Sequence, residues 1–334
     1  MPLGAVIQAL DLLDGATVTG REMADALTRA GCPGVEVKSL AGPRGRTDLV
    51  RITVPGTRGR AAGGDAPTLG IIGRLGGIGA RPAQIGLVSD ADGAVTVAAC
   101  ALELGRMARM GDRLPGDVRL ATHICPDAPT EARHPVPMMS APVDMATLNR
   151  EEVDPAMDAI LSVDTTRGNR VVNHRGIAIS PTVRAGWILR PAEDLLDLYQ
   201  VVTGRMPIVL PLSMPDITPY GNGLYHLNSI LQPATATDAP VVGVALTAEV
   251  LVPGSATGAS QPADIELAVR FCLEVAKAFG LGRCRFFDPD EWGRIQTLYG
   301  PMTHLQSASG SREDSPRGSR RPTKLINWTR TTRL

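Results

Sequence analysis

The sequence is poor in aromatic residues and has no excess of charge of either sign. Phe, Trp and Tyr make up 3% of the 334 residues, so the core must be built from aliphatic residues and methionine. Lys plus Arg number 34 and Asp plus Glu number 34, so the net charge is zero. This balance removes the global attraction that nucleic-acid-binding proteins exert on phosphates, and we expect no nucleic acid partner.

The sequence also lacks paired cysteines, a long apolar run and a cationic leader. Its five cysteines are scattered without a CxxC motif, which is typical of reduced thiols in a cytoplasmic protein. No apolar stretch approaches the roughly 20 residues that cross a bilayer, so no membrane partner is expected. The opening MPLGAVIQALDLLDG has two aspartates and no basic residue, which indicates an amphipathic helix and not a signal peptide. The predicted location is the cytoplasm.

Apolar strands alternate with amphipathic helices along most of the chain, as in α/β proteins. Helices are predicted over 5–14, 20–30, 94–110, 191–203 and 263–280. Strands are predicted over 35–40, 48–56, 117–130, 157–169, 207–212 and 239–247, at the start of 68–82 and in 87–93. The alternation predicts a mostly parallel or mixed sheet with helices on both faces.

The pattern changes abruptly near the C-terminus. Residues 1–306 are predicted to form one α/β domain, which leaves room for a small inserted subdomain. From residue 307 the chain is rich in Ser, Arg and Pro and has no hydrophobic periodicity. Residues 307–334 are therefore predicted to be a disordered basic tail.

Acidic residues follow several of the predicted strands. Asp90 and Asp92 follow one strand, His123 and Asp127 lie at the end of another, and Asp164 lies at the end of a third. Parallel strands place their carboxyl ends on one edge, so we expect these side chains to converge. Clustered carboxylates persist when a cation neutralises them or when one stays protonated, and imidazole with carboxylate suits zinc, manganese or iron. Taken singly, Asp92 could equally cap the helix over 94–110 and Asp127 could cap a loop.

Three other segments carry polar or small residues of possible chemical use. The loop over 216–228 offers aromatic, amide and imidazole groups. The glycine-dense run over 70–82 could form a nest for an anion with Arg74 or Arg81, or could simply pack closely against neighbouring backbone. Cys125 beside His123 could be a nucleophile, although buried structural cysteine is the commoner case.

Seven sequence runs are typical of one bacterial family. They are GDAPTLGIIGRLGGIGARP, VSDADGAV, THICPDAPT, DMATLN, SVDTTRGNRV, HRGIAISPTV and DITPYGNGLYHLNSILQPATAT. Over roughly residues 5–306 the chain resembles the family known as domain of unknown function 1177. This resemblance implies no established activity.

A more distant resemblance is to the di-zinc aminopeptidases that assemble as tetrahedral dodecamers, and to related carboxypeptidase-like hydrolases. In that group a strand ends in Asp before a long helix, which resembles Asp90, and a later strand ends in a metal-binding Asp, which resembles Asp164. The resemblance implies a phosphorylase- and hydrolase-like fold and a homo-oligomer. It also implies a bound divalent metal, with zinc expected and manganese the alternative. The group's first and last metal histidines would fall near Arg74 and Ser255, so the chain departs from the standard di-zinc site.

The leading hypothesis is a metal-dependent hydrolase that cleaves an amide or peptide bond of a small substrate. The predicted metal ligands are Asp90, His123, Asp127 and Asp164. The predicted catalytic residues are Asp92 as general base, Arg74 as the group that binds a substrate carboxylate or oxyanion, and His226. The predicted substrate-binding residues are Arg81, Tyr220, Asn222, Tyr225 and Ser255.

Two alternatives remain open at this point. The first is a metal-free enzyme or binding protein in which glycine-rich loops and arginines hold a small anionic ligand. The second is an inactive relative of the hydrolases that assembles with a partner. Related sheets serve many chemistries, so the architecture alone does not decide among them.

Overall fold

A computed structural model describes residues 2–74, 77–132, 134 and 137–307. The helices are α1 (Leu3–Leu13), α2 (Gly20–Arg29), α3 (Asp92–Arg109), α4 (Met145–Glu152), α5 (Glu193–Thr203), α6 (Pro262–Gly280) and α7 (Pro289–Tyr299). The strands are β1 (Val35–Gly42), β2 (Gly45–Val54), β3 (Leu69–Gly73), β4 (Val118–Ile124), β5 (Thr130–Glu131), β6 (Met138–Met139), β7 (Ala159–Thr166), β8 (Gly176–Ile179), β9 (Val183–Arg184), β10 (Trp187–Ile188) and β11 (Val241–Thr247). Residues 308–334, and with them most of the predicted tail, lie outside the described residues.

A nine-stranded mixed sheet organises the domain. Its order is β1-β2-β4-β3-β7-β11-β9-β10, and β8 pairs with β11 outside this path. The central strands β4, β3, β7 and β11 run parallel, whereas β1, β2, β8, β9 and β10 pair antiparallel. The prediction of an α/β fold with a mostly parallel or mixed sheet is confirmed in its mixed form.

The first face of the sheet carries the main hydrophobic core. Side chains alternate between faces along a strand, so Leu161 and Val163 of β7 enter this core while Ile160 enters a separate cluster on the other face. Helices α3 and α6 contact the parallel strands on this face, and α1 packs on both helices. α3 is buried over most of its length, which explains its nearly continuous apolar sequence.

The second face is covered mainly by α4 and by the long coil between α5 and β11. That coil supplies Leu210, Ile217 and Ile230 to the second cluster. The prediction of helices on both faces is confirmed, although on this face the cover is one helix of eight residues together with non-helical chain. No helix in the described ranges has the length and apolar character that spanning a membrane would require.

Two predicted strand segments are absent as strands. Residues 87–93 contain a 3-10 turn over Ser89–Ala91 that leads directly into α3. Residues 207–212 make an isolated bridge between Val209 and Ile179 but no strand. Both segments are partly buried and partly apolar. Coil that packs against a sheet has the same pattern, so an assignment from hydrophobicity alone was wrong here.

Candidate active site

Three polar side chains form a row at the carboxyl edge of the parallel strands. The register pairs Ile72 of β3 with Ala121 of β4 on one side and with Ser162 of β7 on the other. Two residues further along each chain, the side chains return to the same face of the sheet. The residues at this level are Arg74, His123 and Asp164. This row is the centre of the candidate site.

The last residue of α4, Glu152, closes the row from above. Its Oε1 lies 2.8 Å from His123 Nδ1, and its Oε2 accepts a hydrogen bond from Arg74 Nη1. The side chains of Arg74, Glu152 and His123 are 1%, 0% and 2% exposed. Burial opposes ionisation of Glu152, but Arg74 and His123 outweigh it and lower the pKa of this carboxyl below its usual value. Glu152 is therefore an ionised group held between two donors.

Ion pairs fix α4 over the row. Asp144 caps the helix by accepting the Thr147 N–H at 2.8 Å. On the same face of the sheet, Arg51 of β2 pairs with Glu151 at 3.0 Å, and Arg119 of β4 pairs with Asp154. The helix is thus bound to the sheet by charges on both sides of Glu152, which sets the position of that carboxylate.

Asp164 is buried at the end of β7 and is held by two donors. Its Oδ1 accepts the N–H of Thr165 at 2.7 Å, and its Oδ2 accepts the Ser229 hydroxyl at 3.0 Å. Burial raises the pKa of Asp164 to about 6, although Arg74 and these hydrogen bonds oppose the rise. The carboxyl therefore changes charge close to neutral pH.

Asp90 reaches the same place from the turn before α3. The Asp90 N–H donates to Gly254 O at 3.0 Å, and Thr165 Oγ1 donates to Ser89 O at 2.8 Å, which joins the turn to the end of β7. Burial, together with the charge of Asp164, raises the pKa of Asp90 to about 7, and Arg167 opposes the shift. A Cβ at Gly254 would come within 2.1 Å of Asp90 Oδ2, so glycine here leaves room for the Asp90 carboxylate.

Asp92 does not share this setting. It is the first residue of α3 and fully buried, and its carboxylate forms an ion pair with Arg167 and accepts the Ser260 hydroxyl. Both oxygens are engaged in holding α3 to the loops around it. These contacts favour a structural role at the start of α3, where the helix dipole also favours a carboxylate, and the general-base role of Asp92 stays a prediction.

Asp127 and Cys125 lie beyond the end of β4, and neither contacts the row. Asp127 is exposed, and its Oδ1 lies 3.7 Å from Cys125 Sγ. Burial, with Asp127 adding to it, raises the pKa of the Cys125 thiol to about 12. The thiol is therefore protonated at neutral pH, which argues against a nucleophilic role.

The loop over 216–228 brings one of its four predicted residues to the site. Tyr220 interacts with Ser229 and senses the charge of Asp164, and burial raises the pKa of its phenol to about 12. The ring of His226 meets that of Tyr220 edge to face at 4.5 Å, while His226 Nε2 lies 3.0 Å from Thr218 O. His226 thus supports the loop.

The two remaining predicted residues of that loop are Asn222 and Tyr225. Asn222 donates to Thr218 Oγ1 at 2.8 Å and so stabilises the loop from within. Tyr225 is 83% exposed. Their proposed contacts with a substrate stay predictions.

Arg81 and Ser255 are bound to backbone carbonyls. Arg81 donates to Pro126 O at 3.2 Å and to Asp14 O at 3.1 Å. The Ser255 hydroxyl donates to Pro137 O, next to the glycine that contacts Asp90. In the glycine-dense run, a Cβ at Gly73 would meet Gly93 O at 2.4 Å and one at Gly79 would meet Pro126 O at 2.4 Å. These glycines match the interpretation of close backbone packing.

Sequence reasoning missed three residues of the site, Glu152, Ser229 and Arg167. Glu152 lies in the pair Glu151–Glu152, and helical spacing alone does not tell which of two adjacent acids faces the sheet. Ser229 and Arg167 lie in coil, where no periodicity marks orientation. A charged residue two or three positions after Asp164 was the available signal for Arg167.

The donor set can be compared with the predicted metal ligands. No cluster of three or more His, Cys, Asp and Glu side chains with metal-binding geometry occurs in the described ranges. Asp90 and Asp164 are neighbouring carboxylates with raised pKa values, and such a pair fits a divalent cation that prefers oxygen ligands. The wider set with Asp127 is not assembled here.

Comparisons with known proteins place the chain in a family. No curated protein matches it. Among solved structures, a mutant leucine aminopeptidase from tomato matches with a TM-score of 0.47 and 12% identity, over 81% of this chain and 61% of the aminopeptidase chain. The family model described as "Protein of unknown function (DUF1177)" matches residues 38–309. The family predicted from the sequence runs is confirmed, and the chain belongs to the DUF1177 family.

Proposed function

We propose that this chain is a hydrolase of small amide or peptide substrates and that its reacting centre is the carboxylate pair Asp90 and Asp164. The observation that carries the proposal is that Asp90 and Asp164 come from separate elements, the turn before α3 and the end of β7, and lie close enough for the charge of Asp164 to act on Asp90. The bond from Thr165 to Ser89 fixes that approach. Two acids that served only as structural caps would not have to lie close enough to repel each other at the carboxyl edge of a parallel sheet.

The pair is also the proposed site of a divalent cation. Burial raises the pKa of Asp90 and the charge of Asp164 adds to the rise, and a bound cation would relieve that repulsion. Carboxylate oxygens suit manganese as well as zinc, and the pair Asp90 and Asp164 offers oxygen donors only. A cation bound there would supply Lewis-acid polarisation of the scissile carbonyl.

The protein's own residues have separate roles in this proposal. Asp164, fixed by Ser229 and the Thr165 N–H, is the rigid member of the pair. Asp90 is the adaptable member, since the residue as a whole is half-buried in a turn. Tyr220 is 38% exposed beside Asp164 and offers a phenolic O–H to a substrate carbonyl oxygen.

The alternative of an anion-binding protein has less support. Arg74 is buried and already paired with Glu152, so its charge is compensated within the protein. Arg81 donates to two backbone carbonyls. The two arginines on which the anion hypothesis depends are thus committed to internal partners.

Thermal melts with added cation test the site. Manganese or zinc at one hundred times its dissociation constant should stabilise wild type by about 2.7 kcal/mol. Asp164→Asn should lose most of that gain, and without cation it should be neutral or mildly stabilising because it removes a repelling charge. Asp127→Asn is the control and should keep the full gain. Equal melting of the wild type with and without either cation would remove the cation from the proposal.

A substrate screen tests the activity. Purified protein, with and without manganese, is incubated with aminoacyl and short peptidyl anilides, and release of the aniline is followed. We expect turnover that Asp164→Asn abolishes and Asp127→Asn retains. Turnover that survives in Asp164→Asn would place the chemistry elsewhere.

A further inference from the structure

The buried group formed by Arg74, Glu152 and His123 has no assigned role in the site described above. Burying an ion pair beside a histidine is costly unless each partner is satisfied. Here Glu152 uses one oxygen for Arg74 and the other for His123 Nδ1. The main effect of this arrangement is on the imidazole, because the position of Glu152 selects which ring nitrogen carries the proton.

An ionised carboxylate can only accept a hydrogen bond. His123 Nδ1 lies 2.8 Å from Glu152 Oε1, so Nδ1 must carry a hydrogen, and in the neutral ring Nε2 is left with a lone pair. Arg74 keeps Glu152 ionised from the opposite side, which prevents the carboxyl from becoming the donor. In the described part of the chain, no protein group is hydrogen-bonded to His123 Nε2.

We propose that His123 is the general base of the site and that Glu152 is the residue that positions it. This inference rests on the proposed hydrolase function and fills the role first predicted for Asp92. Water loses a proton to His123 Nε2 as its oxygen bonds to the carbonyl carbon. The same proton then passes from Nε2 to the nitrogen of the leaving amine as the C–N bond breaks. Glu152 stabilises the imidazolium that exists between these two transfers.

The position of His123 in the row favours this role. The strand register puts His123 and Asp164 on either side of Arg74, at one level and on one face of the sheet. His123 and Asp164 are thus separated by one strand, so a base there would act across Arg74 from the proposed carboxylate pair. Glu152 is itself buried and paired with Arg74 at the end of β3, so the carboxylate that orients the ring is fixed relative to the sheet.

Nitrogen-15 NMR of histidine-labelled protein tests the positioning step without any substrate. The chain has five histidines, and His123→Gln assigns the signal by its loss. Neutral His123 should show the Nδ1–H form. The double variant Arg74→Met, Glu152→Leu replaces the ion pair with apolar groups and should return His123 to a mainly Nε2–H form. Glu151→Gln, the neighbouring glutamate that faces Arg51, is the matched control and should change nothing.

Measurements of cation affinity and of turnover distinguish a general base from a metal ligand at position 123. If His123 is the base, His123→Gln should lower turnover by at least 100-fold while its calorimetric affinity for manganese stays within about twofold of wild type. A 10- to 100-fold loss of manganese affinity would instead make His123 a ligand and overturn the proposal. An Nε2–H tautomer in wild type would overturn it as well. Correct tautomers in a protein without any hydrolase activity would refute the proposed function and leave the positioning by Glu152 standing.

Discussion

At the residue scale, the site concentrates ionisable groups where water is scarce. Asp90 and Asp164 titrate near neutral pH because burial disfavours their charged forms, and Asp164 adds repulsion at Asp90. Glu152 lies nearby and shifts in the opposite direction, because Arg74 and His123 surround it. Neighbouring acids with opposite pKa shifts are typical of sites that divide chemical roles among carboxylates.

The raised pKa values predict a pH-dependent stability. A carboxyl whose folded pKa exceeds its unfolded value stabilises the protein fully at low pH, and this contribution is lost as pH rises through the folded pKa. For Asp90 the window runs from its ordinary value near 3.8 up to about 7. In the absence of cation, the unfolding free energy of wild type should therefore fall, relative to that of Asp90→Asn, by on the order of a few kcal/mol as pH rises across this window. Urea unfolding at pH 4 to 8 measures the difference, and Asp127→Asn serves as the exposed control.

A second residue-scale prediction concerns the buried pair. Glu152→Gln leaves Arg74 charged and unpaired in the interior, which should cost about 3–5 kcal/mol of unfolding free energy. Arg74→Met combined with Glu152→Leu should recover most of this loss, since apolar groups can replace a buried ion pair. Glu151→Gln breaks partly exposed pairs with Arg51 and Lys38 and should cost less than about 1 kcal/mol. Equal losses for Glu151→Gln and Glu152→Gln would show that burial of the pair does not matter.

At the scale of elements, the start of α3 determines how the acids meet. Its second residue, Gly93, lies so close to the ends of β3 and β7 that an added Cβ would be 2.7 Å from Val163 O and 2.9 Å from Arg74 O. This close approach lets the turn before α3 place Asp90 against the end of β7. Backbone carbonyls cannot move aside as a flexible side chain can, so the contact is specific for glycine.

Gly93→Ala should therefore destabilise the protein by about 1–3 kcal/mol through overpacking, and it should also weaken manganese binding because α3 is displaced from β7. Gly293 in α7 provides a matched helical control, since a Cβ there meets nothing within 4 Å. Gly293→Ala should be stabilising by about 0.5–1 kcal/mol. Denaturation with urea, and calorimetry with manganese, measure both effects. A harmless Gly93→Ala would contradict the proposed tight crossing.

At the scale of the whole molecule, the two faces of the sheet have different tasks. The first face buries aliphatic side chains beneath α1, α3 and α6 and provides most of the hydrophobic stabilisation. The second face carries Arg51, Arg119 and the row of the candidate site, covered by a short helix held through ion pairs. A rigid apolar layer thus supports a polar layer in which chemistry can take place.

The assembly state remains a prediction at this scale. The zero net charge offers little repulsion between copies, and a homo-oligomer is the expected state. Light scattering at micromolar concentration should return a mass of at least twice the 35.2 kDa of one chain. A particle of 35.2 kDa at every concentration tested would make this prediction wrong.

Local pattern in the sequence determined the helices and the central strands. Helical spacing of apolar residues predicted 94–110 and 263–280, which the structure has as Asp92–Arg109 and Pro262–Gly280. The same reasoning identified His123 and Asp164 as strand-edge residues, because parallel strands share a carboxyl edge whatever their order. Asp90 was reached by a strand prediction that was wrong, since it lies in the turn before α3. Periodicity and edge chemistry are local properties, so they can be predicted without knowledge of which strands are neighbours.

Tertiary structure alone decided which of those residues work together. Asp92 and Asp90 are two positions apart, yet one pairs with Arg167 and the other lies against Gly254. Glu152 and Arg74 are 78 residues apart, and only the docking of α4 on the sheet makes them partners. The direction of a side chain in a turn, and the partner of a buried charge, depend on elements distant in sequence, which local pattern does not encode.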